Sequence, residues 1–476
     1  MNWTANILGR LPTVNSDISM MQGARHEQVG PATPPAIIDV SALVDDSPLG
    51  RIQGTTFVLC LLCLIIDGFD VQALGYAAPA IVREWGVPSA ALGPVFAAGN
   101  FGVLLGALGC SMLADRAGRR PVLIVATLVF AVMTLLTARA ATVSELLMLR
   151  LLAGVGLGAI IPNASALVGE YSPRRLRATM IMLVGVGFTA GAAVGGFIAA
   201  ALIPTYGWRA VFYFGGTVPL AIAAAMVFWL PESIQLAVLR GWSRARITAA
   251  VNRLNPRADA TVDSQFVLPE GHRSGAPLLH LFREGRAAVT LLLWTVNFMN
   301  LLNLYSLASW LPSVVRDSGY STQTAVLAGT VLQVGGTIGT FGLAWLVARH
   351  GFARVLAVTF TLAAGSIALI GQPGLSLPLL TLAVFIAGWC VVGSQPGLNA
   401  LAGAYYPTYV RSTGVGAGLG VGRIGAIVGP AIGGLLMAAQ WPVRDIFLAA
   451  AMPALFSVVA MLALRFLLGT QLGARE

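Results

Sequence analysis

Four ionisable residues lie inside apolar stretches of this sequence that are long enough to cross a lipid bilayer. They are Asp67 and Asp70, which are three residues apart, and Arg150 and Arg423. An ionisable group inside a bilayer costs about 2.5–3.5 kcal/mol on insertion scales, so such residues are functional candidates by default. Removal from water favours the neutral carboxyl group, which can therefore bind and release a proton. A guanidinium group stays charged and offers a forked hydrogen-bond donor to a carboxylate.

These properties suggest a role for each of the four residues. Asp67 and Asp70 share one face of a helix, because residues three apart are neighbours there. We expect them to form a proton-coupling site, with Asp70 as the first choice. We expect Arg423 to anchor the carboxylate of a substrate, while Arg150 either contacts the substrate or holds one of the aspartates. Permanent pairing inside the protein is the alternative for all four.

The charges of these residues also bear on mechanism. If all four face one cavity, their formal charges cancel. A bound carboxylate would then leave one uncompensated negative charge in a medium of low dielectric constant, which is costly. Protonation of one aspartate would remove that charge. The set therefore predicts that an organic anion and a proton move together, with the proton as the coupling ion.

Uncharged polar residues repeat along another apolar stretch. Asn297, Asn300 and Asn303 recur every three residues, and we expect this stripe to face a water-filled cavity and to bind hydroxyl groups of the substrate. Hydrogen bonding between helices is the alternative. Gln395 is a weaker candidate of the same type. Tyr305 and Trp310 could stack on an aromatic substrate, and ordinary core or membrane-interface placement is the alternative for these two rings.

The composition shows that this chemistry belongs in a membrane. Of the 476 residues, 57% are apolar and 10% are charged, and the mean hydropathy is +0.81. Soluble proteins have roughly 45–50% apolar and about 25% charged residues. A cytosolic enzyme, a nucleic-acid-binding protein and a disordered scaffold are therefore excluded. The net charge of +10 comes from arginines clustered in loops, since the sequence contains no lysine.

Apolar segments of about 20 residues, the length required to cross a bilayer, occur twelve times. They form two sets of six, separated by a polar stretch at 231–286. The pattern YxPxxxRxT at 171–179 recurs at 405–413, which indicates a duplicated six-helix unit. Duplicated halves are typical of secondary transporters, which bind substrate between the halves near the bilayer midplane. The predicted segments lie near 54–81, 91–113, 121–138, 145–168, 178–203, 208–230, 287–312, 322–347, 353–371, 377–403, 413–438 and 445–468.

The distribution of arginine predicts the orientation of the chain. Most arginines fall on the side of the bilayer that holds both chain ends and the polar stretch, and the positive-inside rule makes this side the cytoplasm. We therefore predict that both termini are cytoplasmic and that the protein is a multi-pass protein of the bacterial inner membrane. The predicted regions are an N-terminal tail at 1–50, a first bundle at 51–230, a cytoplasmic central loop at 231–286, a second bundle at 287–468 and a C-terminal tail at 469–476.

Three motifs resemble those of the major facilitator superfamily. Segment 109–120, GCSMLADRAGRR, resembles its signature between the second and third helices, and segment 150–156, RLLAGVG, resembles its fourth-helix motif. Segment 67–79, DGFDVQALGYAAP, is more specific and resembles the aromatic acid:proton symporter family, whose members import benzoate-like carboxylates. The resemblance implies an all-α membrane protein with twelve transmembrane helices in two pseudo-symmetric six-helix bundles, the major facilitator fold.

The resemblance also implies an ion-pair gate on the cytoplasmic side, although a charged loop that merely obeys topology is the alternative. Ala348 takes the place of an aspartate that is usual in the second-half signature. We therefore expect gating to depend mainly on the first half. The expected gating residues are Asp115, Arg116, Arg119, Arg120, Glu170, Arg177 and Arg411.

The function implied by the resemblance is proton-coupled import of a small aromatic carboxylate of the hydroxybenzoate or benzoate class by alternating access. We expect no enzyme activity, metal or prosthetic group. The expected partners are the substrate, protons and the lipid bilayer, with no nucleic acid, and the expected unit is a monomer. A symporter for a sugar or a non-aromatic acid such as muconate is an alternative, because the residues LPES at 230–233 resemble a sugar-porter pattern. A membrane chemoreceptor for aromatic acids is an alternative of a different class.

Overall fold

The structure, a computed structural model, describes residues 37–255, 258–268, 278–283, 285–407 and 410–473. Within these residues, twelve helical spans are long and apolar enough to cross a membrane. They coincide with the twelve predicted segments and confirm the predicted fold class. Residues 1–36 of the predicted N-terminal tail lie outside the described residues.

The helices and strands follow one another along the chain with few irregular residues between them. Short 3₁₀ helices at Ser89–Leu92 and Leu278–Phe282 complete the set. The elements are β1 (Ile37–Asp39), α1 (Val40–Asp46), α2 (Arg51–Trp85), α3 (Gly93–Ala117), α4 (Arg119–Thr137), α5 (Val143–Tyr171), α6 (Arg174–Tyr206), α7 (Arg209–Trp229), α8 (Ile234–Leu239), α9 (Arg244–Leu254), β2 (Gln265–Val267), α10 (Ala287–Asp317), α11 (Thr322–His350), α12 (Phe352–Ile370), α13 (Leu377–Val391), α14 (Ser394–Tyr405), α15 (Arg411–Ala438) and α16 (Val443–Gly473).

The helices pack as two bundles with matching internal arrangements. In the first bundle, α2–α7, the main pairs are α2 with α6, α3 with α5, α4 with α5 and α4 with α7. In the second, α10–α16, the equivalent pairs are α10 with α15, α11 with α13, α12 with α13 and α12 with α16. Counting α13 and α14 as one interrupted span, each pair of the first bundle has its counterpart six spans later. The packing thus follows the duplication seen in the sequence.

Small residues explain how these helix pairs approach so closely. A Cβ atom at Gly68 would overlap the carbonyl of Phe188, and one at Gly191 would overlap the carbonyl of Ile65. Membrane helices associate without a hydrophobic driving force between them, so backbone contact through glycine is a common source of attraction. The pair α2–α6 is fixed in this way, and it carries both intramembrane aspartates.

The two bundles meet along α2 with α10, α3 with α15 and α6 with α11. We call the end of the bundles next to β1, α1, α8, α9, β2 and the second 3₁₀ helix the proximal face, and the opposite end the distal face. Arg316 donates a hydrogen bond to the Pro79 carbonyl across this interface at 3.0 Å. Trp310 packs edge-on against Phe96, with ring centroids 5.2 Å apart. These contacts join the bundles toward the distal face.

The predicted tail and central loop contain structure that the sequence did not reveal. Strand β1 pairs in parallel with β2, with Ile37 opposite Gln265, and α1 buries Val40 and Val44 in the same apolar cluster as Val251 of α9. Strand pairing between segments more than 220 residues apart cannot be inferred from local patterns, because neither three-residue strand buries enough surface by itself.

Candidate functional site

Asp70 and Arg150 form a buried ion pair between α2 and α5. The Arg150 Nη2 contacts Asp70 Oδ2, and Nη1 donates to Asp70 Oδ1 at 3.3 Å. Thr134 on α4 donates a further hydrogen bond to Asp70 Oδ1 at 2.9 Å. The two charged side chains are 0% and 5% exposed, respectively. Of the two roles considered for Arg150, the structure shows the one in which it holds an aspartate.

Asp67 lies one helical turn before Asp70 but has different surroundings. Its side chain is 2% exposed, and among the described residues its buried Oδ2 atom has no hydrogen-bond partner. The charges that act on Asp67 most strongly are those of Arg423, on the other bundle, and Asp70. A buried carboxylate oxygen without a partner is costly when ionised. Asp67 therefore lacks, at this oxygen, the direct contacts that Arg150 and Thr134 make with Asp70.

Arg423 is a buried-site arginine without a carboxylate partner. It lies on α15 and is half-buried, and its Nη1 donates to the Tyr305 hydroxyl at 2.8 Å. In the described part of the chain, no carboxylate lies within ion-pair distance of it. Gly422 and Gly425 pack closely on α10, which brings Arg423 beside Tyr305. Its charge is thus available to an anion from outside the protein.

The asparagine stripe of α10 makes contacts within the second bundle. Asn300 Nδ2 donates to Gln395 Oε1 at 2.8 Å, and Gln395 Nε2 donates to Asn297 Oδ1 at 3.0 Å. Asn297 and Asn300 are buried, whereas Gln395 is half-buried. Gln395 follows the interruption between α13 and α14, which turns this segment toward α10. For Asn297 and Asn300 the observed arrangement is the interhelical hydrogen bonding that we considered as the alternative.

The remaining two substrate candidates are in separate environments. Asn303 is buried, and its Oδ1 atom has no hydrogen-bond partner among the described residues. Trp310 donates from its indole nitrogen to the Pro430 carbonyl at 3.0 Å and packs against Phe96. Trp310 therefore joins helices toward the distal face, and its ring is occupied by protein contacts in this structure.

A small cavity lies between the two bundles beside the Asp70–Arg150 pair. Its volume is about 40 Å³, far below the roughly 300–1,000 Å³ of ordinary ligand pockets. The cavity can hold water but not an aromatic ring, so substrate binding at this position requires the bundles to separate. Its lining includes Gln72, Phe96, Asn100, Arg150, Tyr305 and Ser309.

The expected gating residues do not form one group at the proximal face. Arg119 pairs with Glu170 at 2.5 Å. Arg177 lies 3.8 Å from Asp45 of α1, and Arg411 donates to the Tyr406 carbonyl in the second bundle. Arg120 donates to the Val227 carbonyl. Arg116 is exposed, and the side chain of Asp115 lies outside the described residues.

Glu232, which the sequence analysis did not place, binds the start of α4 at the proximal face. Its Oε1 atom accepts hydrogen bonds from the backbone nitrogens of Arg119, at 3.0 Å, and Arg120, at 3.2 Å. A carboxylate at the first turn of a helix is favoured by the helix dipole, so Glu232 caps α4. The signal was present in the residues LPES at 230–233, which we considered only as a pattern bearing on substrate.

A buried charged site between two duplicated six-helix bundles defines a membrane transporter, because substrates of such proteins bind at the interface of the halves. The chain belongs to the Major Facilitator Superfamily, which it matches over residues 60–370 and 293–474. It is a transporter and not an enzyme.

Named relatives cover nearly the whole chain. The 4-hydroxybenzoate transporter PcaK of Pseudomonas putida is 39% identical over 427 residues, which are 89% of this chain and 95% of that protein. The gallate transporter of Pseudomonas putida is 39% identical over 429 residues, 90% of this chain and 95% of that protein. The crystal structure of a D-xylose-proton symporter superposes with a TM-score of 0.68 at 16% identity, covering 87% of this chain and 97% of that one. The two named relatives confirm the resemblance to aromatic acid transporters, and the superposed structure confirms the fold.

Proposed function

We propose that this protein imports a small aromatic carboxylate together with protons. The observation that carries the substrate class is the similarity over about nine-tenths of the chain to transporters named for 4-hydroxybenzoate and gallate. Arg423 supports the proposal, because a guanidinium without a carboxylate partner offers an anion a charge-assisted hydrogen bond in a low-dielectric site. A neutral sugar would leave that charge uncompensated.

The proposed coupling follows from the charges of the site. Asp70 and Arg150 neutralise each other through direct contact, which leaves Asp67 and Arg423 as the second pair of opposite charges, without direct contact. When a carboxylate binds Arg423, the negative charge of Asp67 loses its compensation. Protonation of Asp67 restores neutrality and relieves its unpartnered oxygen. We therefore favour Asp67 over Asp70 as the proton carrier, which changes our first choice from the sequence.

The proposed cycle is alternating access around this site. The bundles rock about the interface, so the site opens to one face at a time. The proximal network of Arg119, Glu170 and Glu232 joins α4, α5 and the segment after α7, and we propose that it holds these ends together as one body during the movement. The proximal face is proposed to be cytoplasmic, in the inner membrane, in accordance with the arginine distribution.

Uptake by reconstituted vesicles tests the proposal. Purified protein in liposomes is given labelled 4-hydroxybenzoate, gallate, benzoate, muconate or xylose, with and without an inward pH gradient. We expect the gradient to drive accumulation of at least one aromatic acid above its external concentration, and to have no effect on xylose. If muconate alone accumulated, the proposal of an aromatic substrate would be wrong, and the substrate would be a non-aromatic acid. Aromatic uptake that the pH gradient does not change would contradict proton coupling.

A further inference from the structure

We infer that Tyr305 is a substrate-binding residue, whose hydroxyl group donates a hydrogen bond to the carboxylate that Arg423 attracts. This inference rests on the proposed function and deepens it. It assigns the carboxylate two donors of different kinds, one charged and one neutral, on adjacent helices of the second bundle.

The hydrogen bond between the two residues leaves a donor free. The Tyr305 oxygen accepts from Arg423 Nη1 at 2.8 Å, and the guanidinium carbon lies 5.9 Å from the ring centroid, so the contact is made at the hydroxyl end. A phenol group both donates and accepts. In the described part of the chain, no acceptor is found for the Tyr305 proton. A hydroxyl that accepts from a cation is polarised and is a stronger donor toward an anion.

The position of Tyr305 suits this role. Its side chain is 6% exposed, yet it lines the cavity between the bundles together with Arg150 and Asn100. Asp67 and Asp70 stand on the opposite side of the same interface, on α2. A carboxylate that bridges the Tyr305 hydroxyl and the Arg423 guanidinium would lie at the boundary of the two bundles. Its negative charge would therefore act on residues of both bundles.

The hydrogen bond from Arg423 to Tyr305 also explains how Arg423 keeps its position when no substrate is bound. An arginine with no partner in a low-dielectric site would move toward a carboxylate on which its charge acts, here Asp67. The neutral hydroxyl holds the guanidinium without cancelling its charge. The hydrogen bond therefore keeps the site positive and open to an anion, which an ion pair with Asp67 would not.

The test compares Tyr305→Phe with Tyr320→Phe in the full-length protein. Tyr320 lies at the distal end of the second bundle, where its hydroxyl donates to the Leu375 carbonyl at 2.9 Å, and it serves as the matched control. Calorimetry measures binding of benzoate, 4-hydroxybenzoate and gallate, and of the carboxamide of whichever binds tightest. We expect Tyr305→Phe to weaken binding of the carboxylate about tenfold, equivalent to about 1.4 kcal/mol, while the amide, whose neutral carbonyl is a weaker acceptor, loses less and Tyr320→Phe changes neither.

A double-mutant cycle on ligand affinity tests whether Tyr305 and Arg423 act together on the bound carboxylate. In an Arg423→Gln background, the loss caused by Tyr305→Phe should shrink, because interacting residues are non-additive. Unchanged carboxylate affinity in Tyr305→Phe, or equal weakening of carboxylate and amide, would overturn the inference alone. If the wild-type protein bound none of the three acids, the proposed function would be overturned and this inference with it.

Discussion

The two bundles each bury one arginine in the membrane interior, and the two arginines are used in different ways. In the first bundle Arg150 is joined to Asp70 by two contacts, and Thr134 supplies a third polar group. In the second bundle Arg423 contacts only a neutral hydroxyl among the described residues. The first pair is internally neutral and holds α2 to α5. We propose that the second arginine keeps its charge for a ligand, so that the two arginines, which lie on non-equivalent spans of the two halves, have a structural and a binding role respectively.

The same difference extends to the neighbouring carboxyl groups. Asp70 contacts Arg150 and Thr134, which both belong to its own bundle. Asp67, one turn away, has an unpartnered oxygen, and the positive charge that acts on it belongs to the other bundle. A group whose compensation comes from the opposite side of a moving interface can respond to the movement. For this reason we propose coupling at Asp67, and the variants below test whether the two bundles differ in this way.

The largest expected effect is complete loss of uphill transport in Asp67→Asn. Asparagine resembles a protonated aspartate in shape but cannot release a proton. We expect counterflow exchange of labelled for unlabelled substrate to survive while accumulation driven by the pH gradient is lost, as measured in reconstituted vesicles. Asp445→Asn, at an exposed distal position, should retain both activities. Full accumulation by Asp67→Asn would return the coupling role to Asp70 or to another group.

The next effect is on stability and concerns the first bundle. Arg150→Gln leaves Asp70 buried without its cation, and breaking a buried ion pair in this way costs about 3–5 kcal/mol. We expect a markedly lower melting temperature of the purified protein. The control is Arg209→Gln, which breaks the exposed Arg209–Glu84 pair at 2.5 Å and should cost at most about 1 kcal/mol. Equal melting temperatures for the two variants would contradict a structural role for Arg150.

A smaller effect is expected on binding in the second bundle. Arg423→Gln removes a charge-assisted hydrogen bond, which we expect to weaken aromatic carboxylate binding by about 1.5–3 kcal/mol with little change in melting temperature. Arg423→Lys should recover part of the loss, because the charge remains but the fork does not. Arg444→Gln, an exposed distal arginine, is the control in calorimetric titrations. If Arg423→Gln bound as tightly as the parent, Arg423 would be a structural residue like Arg150.

The smallest effect concerns the proximal end of the first bundle. Asp45 accepts from the Arg174 backbone nitrogen at 2.6 Å at the start of α6. Asp45→Asn removes a negative charge from that helix N-terminus, at a cost of about 0.3–1 kcal/mol. We expect faster amide hydrogen exchange in residues 37–46 and unchanged substrate affinity. The exposed neighbour variant Asp46→Asn should not change the exchange rate, and equal exchange in both variants would show that Asp45 does not hold α1 in place.

Much of the architecture could be predicted because the bilayer imposes it locally. A span needs about 20 apolar residues and must satisfy its own backbone hydrogen bonds, so length and hydropathy identify each helix without knowledge of its neighbours. The repeated pattern at 171–179 and 405–413 likewise indicated that the six-helix unit is duplicated. The structure of residues 37–46, 234–255 and 258–267 escaped prediction, because those short elements are stabilised by contacts between segments that are distant in the sequence.

The sequence predicted which residues belong to the candidate site better than it predicted which of them contact one another. The cost of an ionisable group in lipid singled out Asp67, Asp70, Arg150 and Arg423 from the sequence. The asparagines of α10 were also noticed, but a polar stripe looks the same whether it faces water or a second helix. The structure shows Asn297 and Asn300 bonded to Gln395, across a sequence separation of about 95 residues. The functional roles of all these residues stay predictions until the variants are measured.

The sequence alone was enough to show that the protein lies in a lipid bilayer, how many helices cross it, and which ionisable residues lie inside those helices. These depend on the properties of each residue and of its near neighbours along the chain. Only the tertiary structure decided which arginine meets an aspartate, because partners on α2, α5, α10 and α15 are brought together by glycine contacts between helices. The energy of a buried charge depends on what lies within a few ångströms of it. Arg150 and Arg423 therefore read alike in the sequence and differ in the folded protein.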